Sequence, residues 1–128
     1  MSDRLSFLVA DGLDHVVVSV TGEIDGGTER EFRDGLVSVL SQGALRLVVD
    51  LAAVPFMASA GVAVLMGLHR ALTVRGGSVV LAAPRPVVAR VLSLTGADEV
   101  ISVYPDVGDA VTGFGLDDEG LPSSSGVG

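Results

Sequence analysis

At 128 residues the chain fits one domain, long enough to bury roughly two-thirds of its unfolded surface without staples. It has no cysteine, which removes disulfides, thiolate metal sites and a cysteine nucleophile; its net charge of −8, with every basic residue an arginine, disfavours direct binding to nucleic acid or anionic lipid. No apolar run reaches bilayer length and the N-terminus lacks a basic-then-apolar signal pattern, so a cytoplasmic protein away from the membrane is expected.

Leu5 to Ala10 reads as a first strand, Asp11-Gly12 as a turn, and His15 to Thr21 as a second strand with Val16, Val18 and Val20 alternating. Gly22-Glu23-Ile24-Asp25-Gly26-Gly27 breaks that strand. Thr28, with Glu31 three residues on, predicts a capping box for a helix in which Phe32, Leu36 and Leu40 stack, Val37 and Val39 lie beside them, and which Gly43 ends. Leu45 to Leu51 carries apolar side chains on both faces, as a strand buried on both sides does.

Pro55-Phe56-Met57-Ala58-Ser59-Ala60-Gly61 then leads from that strand into a helix with Leu65, Leu68 and Leu72 as its core stripe, stopped by Gly76-Gly77. Ser59 stands where this helix begins, between small neighbours that leave its hydroxyl unshielded. The ordinary role for a serine there is to cap a free amide of the first turn. Ser78 to Ala83 is another apolar strand. Pro84-Arg85-Pro86 turns the chain into a helix with Val88, Val91, Leu92 and Thr95 inward, and Gly96 takes the C′ position. Val100 to Tyr104 is the last strand, and Asp106, with Asp109 after it, caps a final helix through Val111. The folded domain is expected over residues 1–114. Residues 115–128, rich in Gly, Ser, Asp, Glu and Pro, predict a mobile tail.

This order predicts an α/β domain with a mixed central sheet of about five strands and about four helices, parallel in its later part. Right-handed crossovers would gather the loops near Asp25, Ala58-Ser59 and Pro84-Arg85 at one end of the sheet. Enzymatic chemistry finds little support. Without lysine there is no P-loop lysine and no Schiff base, and Phe56-Met57-Ala58-Ser59-Ala60-Gly61 lacks the first glycine of a nucleophile elbow. His69 would lie roughly 15 Å along the helix from Ser59, and His15 begins a strand, so neither reads as a catalytic base. The carboxylates show no metal-ligand spacing with histidine, and no cofactor is implied.

Four segments together resemble the STAS domain family, and more narrowly the bacterial anti-sigma factor antagonists: Gly22-Glu23-Ile24-Asp25, Leu47-Val48-Val49-Asp50-Leu51, Val54 to Gly61, and Val91-Leu92-Ser93-Leu94-Thr95-Gly96. The resemblance runs from about Leu5 to Val111. It implies a regulator that binds an anti-sigma factor, itself a serine protein kinase, and frees a sigma factor until the kinase phosphorylates a serine at the start of this helix. Ser59 matches that phosphoacceptor, and Asp25 matches the acidic residue of the turn beside it. The family usually reads aspartate-serine-serine-glycine where this chain has Ala58-Ser59-Ala60-Gly61, which removes a carboxylate and an alternative hydroxyl. The partner-binding surface implied comprises Asp25, Ala58, Ser59, Ala60, Gly61, Val62 and Met66. Val62 and Met66 contribute if their helix face is exposed; burial by neighbouring elements is the other outcome.

Two further readings stay open: a STAS scaffold or partner-binding subunit of a stress-signalling or transporter complex that is never phosphorylated, and a nucleotide-binding enzyme resting only on the glycine-rich turn. A homodimer is open as well.

Overall fold

The computed structural model describes residues 4–118, with side chains described through residue 113. The alternating valines form the strands their pattern predicts: β1 (Ser6–Asp11) and β2 (Val16–Thr21) make a hairpin. The chain continues through α1 (Glu29–Leu40), β3 (Arg46–Ala53), α2 (Ser59–Val74), β4 (Ser78–Ala82), α3 (Pro86–Leu94), a 3₁₀ turn (Ala97–Glu99), β5 (Val103–Tyr104) and α4 (Val107–Asp118). The sheet order is β1-β2-β3-β4-β5, with β1 antiparallel to β2 and every later pair parallel. This is the mixed five-stranded sheet with four helices that the sequence predicts.

Period-two alternation decides which layer each side chain joins. Val16, Val18 and Val20 of β2, Leu47, Val49 and Leu51 of β3, and Val79 and Leu81 of β4 face α1, α2 and α3. Against them pack Phe32 and Leu36 from α1, Leu65 and Leu72 from α2, and Val88 and Leu92 from α3. The opposite face presents Val48, Val80 and Ala82, covered by Ala110 with Val107 and Val111 of α4. Strands β3 and β4 are therefore buried on both sides, which is why they read as continuous apolar runs.

Several local expectations are corrected. Thr28 makes no capping bond to α1; its hydroxyl donates instead to the Glu23 carbonyl at 2.8 Å and accepts the Asp25 N–H at 2.9 Å. Glu31 does not reach back to complete a capping box, because its carboxylate accepts the N–H of Leu5 at 3.0 Å, fastening α1 to the start of the chain. The hairpin turn lies over Gly12 to His15, with Asp11 still in the strand. Val37 and Thr95 are exposed, and Leu68 is half-buried against the core. The last strand is only Val103–Tyr104, since the 3₁₀ turn takes up the residues before it. Gly96, at φ 78°, ends α3 as predicted, and Asp106 Oδ1 accepts the Asp109 N–H at 2.7 Å at the head of α4. That helix runs past Val111 to Asp118, four residues into the segment read as tail; the remainder of that segment lies outside the described residues.

Candidate functional site

Parallel pairing of β2, β3 and β4 brings their C-terminal loops to one end of the sheet. Two of these loops are joined by backbone hydrogen bonds. The Ile24 N–H donates to the Phe56 carbonyl at 2.9 Å and the Ala58 N–H to the Ile24 carbonyl at 2.7 Å, making a parallel bridge between Ile24 and Met57. Further back, the Gly22 N–H donates to the Ala53 carbonyl at 3.1 Å. Ile24 and Met57 are fully buried, so the seam is anchored in the core and holds Asp25 beside Ala58-Ser59. The third loop joins through Arg85, whose Nε donates to the Ala52 carbonyl at 2.9 Å.

Asp25 shapes its own turn. Its Oδ1 accepts the N–H groups of Gly27 at 2.8 Å and Thr28 at 3.1 Å, so the half-buried carboxylate is fixed in direction. Arg4, Glu23, Asp25 and Thr28 line a cleft of about 220 Å³ here, across which Arg4 Nη2 donates to the Gly27 carbonyl at 2.7 Å.

At the head of α2 the cap position falls to Ala58, in extended conformation, and Ser59 is the first helical residue. Ala58 has no side-chain oxygen, so the orphan amides of the first turn receive no side-chain acceptor. Ser59 is exposed, and its hydroxyl makes no hydrogen bond among the described residues. The ordinary capping role is thereby unfilled, and an uncommitted nucleophilic oxygen faces outward beside positive helix-terminal dipoles.

The residues expected to form the partner surface separate into two layers. Asp25, Ala58 and Ala60 are half-buried around the exposed Ser59. Gly61 and Val62 lie beneath, against expectation. Val62 is 5 % exposed and belongs to the core, so it is no surface docking side chain. A Cβ on Gly61 would come within 2.6 Å of Ile24 Cγ2 and 3.0 Å of Met57 Cγ, so glycine lets the first turn of α2 approach the seam. Met66 is half-buried and packs against the core. The helix is apolar nearly all round, which blurs the face assignment that placed Val62 outside.

Two large apolar side chains outside the expected set are exposed at this end of the sheet. Phe56 is 42 % exposed immediately before the buried Met57, and Val87 is 54 % exposed one residue into α3. The signal for Phe56 was its scarcity value, an aromatic residue in an aromatic-poor chain set just ahead of Ser59. Both histidines have hydrogen-bond partners. His69 Nδ1 accepts the Val79 N–H at 3.1 Å, tying α2 to β4, and burial holds its pKa below the usual 6.5. His15 Nδ1 lies 3.2 Å from Asp14 Oδ1 at the far end of the sheet. Among the described residues no group of three or more His, Asp or Glu is placed to hold a metal, and no helix is long and apolar enough to cross a membrane.

The STAS domain model matches residues 8–110. The anti-sigma-F factor antagonist RsfB of Mycobacterium tuberculosis is 31 % identical over 113 residues, covering 87 % of this chain and 90 % of that protein. The crystal structure of an anti-sigma factor antagonist from Mycobacterium paratuberculosis superposes with a TM-score of 0.79 at 33 % identity, over 88 % of this chain and 96 % of the other. SpoIIAA of Bacillus has the same fold in its unphosphorylated form, with a TM-score of 0.70 at 21 % identity over 91 % of this chain and 98 % of that one. Its phosphorylated form gives 0.63 at 22 %, over 84 % and 97 %. With its strand order, its joined loops and its uncapped serine accounted for, the chain belongs to the STAS domain family, and within it to the anti-sigma factor antagonists.

Proposed function

We propose that this protein binds an anti-sigma factor through the surface around Ser59, frees the sigma factor held by it, and is released when that partner, acting as a serine kinase, phosphorylates Ser59. In that step Ser59 Oγ attacks the γ-phosphorus of ATP, ADP leaves, and the hydroxyl proton passes to a base on the kinase. The observation that carries the reading is the exposed Ser59 hydroxyl at the head of α2, uncommitted to any cap and held beside Asp25 by the backbone seam.

Magnitudes decide how the phosphate acts. At a helix N-terminus a negative group is favourable by about 0.3–1 kcal/mol, so the fold tolerates it. Inside a protein interface the same dianion loses water without a partner built for it, at a cost of several kcal/mol. The carboxylate of Asp25 adds repulsion from the same side. The interface effect is larger, so phosphorylation releases the partner without refolding this domain. That SpoIIAA keeps the fold in both phosphorylation states supports the same view.

Ala58 and Ala60 favour a second reading, a STAS subunit that binds its partner permanently, because the helix start lacks the carboxylate and second hydroxyl usual beside the acceptor. One experiment separates the two. The protein is incubated with its cognate anti-sigma factor and Mg-ATP, the modified residue is mapped by mass, and wild type, Ser59→Ala and Ser59→Asp are titrated against the partner. The switch reading expects phosphate on Ser59 and a loss of affinity of about 100-fold or more for Ser59→Asp. Equal affinities for wild type and Ser59→Asp would overturn it; tight binding with no phosphate transferred would favour the permanent binder.

A further inference from the structure

Strand β1 is one of the two outer strands of the sheet, paired on one side only. The direction of its free backbone groups follows from the hairpin. The Gly12 N–H donates to the His15 carbonyl at 2.8 Å, and bonded pairs alternate along an antiparallel ladder. In the register Ala10↔Val17 and Leu8↔Ser19, the even-numbered residues therefore turn their N–H and C=O groups towards β2. Phe7, Val9 and Asp11 turn theirs outward. Leu5 fits the same parity, since its outward N–H is the one taken by Glu31. Edge strands are commonly blunted by lysine, proline or an inward charge. Strand β1 has neither lysine nor proline, its one charge is Asp11 at the last position, on the face of Phe7 and Val9, and Leu8 is 73 % and Val9 45 % exposed.

We propose that this edge pairs with the same edge of a second copy of the chain, with a two-fold axis through Val9 that joins two sheets into one. The register is specific. Antiparallel pairing about Val9 sets Val9 opposite Val9 and Phe7 opposite Asp11 of the second copy. Each such pair exchanges both N–H···O=C bonds, so every outward backbone group of Phe7, Val9 and Asp11 is used and the occupied N–H of Leu5 is not needed. A shift towards the N-terminus would call on that N–H. On the sheet face away from α1, Leu8 comes to lie across from Ala10 of the second copy, and both are exposed in the single chain. Beyond the strand ends, the register brings Arg4 towards Asp14 of the second copy, twice by symmetry, and pairing them exchanges the Arg4 Nη2–Gly27 carbonyl and Asp14–His15 contacts within one chain for a contact between copies. Opposite charges thus meet at each rim despite the net charge of −8 on each chain.

One short strand pair covers less than the roughly 1,200–2,000 Å² of a stable interface, so the dimer is weak and depends on concentration. The surface is separate from Ser59, and the inference does not rest on the function proposed above.

Sedimentation equilibrium tests it. The mass should rise from the 13.0 kDa of one chain towards twice that value between about 10 μM and about 1 mM. Val9→Pro removes an N–H that points away from β2, a substitution an edge strand accepts, and should weaken the dimer by at least about tenfold. Arg4→Glu should weaken it too, and adding Asp14→Arg should restore it. A wild-type chain that stays at 13.0 kDa throughout overturns the proposal, as does a dimer that Val9→Pro leaves unchanged. Should Val9→Pro fail to fold, amide exchange of the wild type decides: slowing at Phe7, Val9 and Asp11 with concentration supports self-pairing, and concentration-independent exchange overturns it. Protection of those amides only on adding an anti-sigma factor would assign the edge to that partner and overturn self-pairing.

Discussion

His69 shows how one side chain gives the fold a pH dependence. Burial disfavours its imidazolium form, and the Val79 N–H needs an unprotonated Nδ1 to accept it. The folded pKa is thus below the 6.5 of the unfolded chain. Well above pH 6.5 the ring is neutral in both states and its contribution is complete. As the pH falls below that value the unfolded chain takes up a proton that the fold resists, so stability falls. Urea midpoints at about pH 7.5 and about pH 5.5 should show the decline in wild type, while carboxylates remain mostly ionised. In His69→Asn an amide oxygen can take the place of Nδ1, and the decline should be smaller. His15 is common to both proteins and cancels in the difference; identical declines would refute the assignment. At this scale the sequence was a mixed guide. The exposure of Ser59 at the head of α2 was legible because only small residues flank it. Val62 was not, because a helix apolar on nearly every side gives periodicity no polar face to mark the outside. Thr28 and Glu31 matched a capping box in spacing, but tertiary acceptors and donors at Glu23 and Leu5 took both side chains.

Among the elements, α2 departs furthest from its expected local chemistry. Its cap residue, Ala58, has the extended backbone of an N-cap, φ −83° and ψ 166°, yet no oxygen to offer the first-turn amides. Ala58→Asp should supply that oxygen and a charge of the favourable sign, raising stability by about 0.5–2 kcal/mol. The nearby Asp25 carboxylate draws the gain towards the lower end. Thermal or urea unfolding measures it, and an unchanged or lower midpoint would mean that Asp25 outweighs the cap. The chain forgoes this stabilisation, which is what the partner surface proposed above would require. Most elements were legible to within a residue or two. The short Val103–Tyr104 strand was overestimated because the 3₁₀ turn over Ala97–Glu99 has no periodic signature. The joining of the Asp25 and Ala58 loops was foreseeable only as a consequence of parallel topology, since the Ile24–Met57 bridge links residues with no shared pattern.

For the molecule as a whole, electrostatics oppose the fold. The sequence has 16 acidic residues against 8 arginines. Among the described residues, His15 Nδ1 lies 3.2 Å from Asp14 Oδ1 and Arg33 Nε lies 4.0 Å from Asp34 Oδ1. Both join sequence neighbours, which stay close in the unfolded chain and so discriminate little between the two states. With this charge imbalance compaction brings like charges together, and the two-sided apolar core supplies the stability. Salt shortens the screening length from about 30 Å at 0.01 M to about 3 Å at 1 M, which weakens repulsion between exposed groups more than it weakens burial. The urea midpoint should consequently rise as sodium chloride is raised from about 0.01 M to about 0.5 M, with the slope of the transition unchanged because the same surface is exposed on unfolding. A midpoint that falls with salt would mean that attraction between distant charges outweighs the net repulsion.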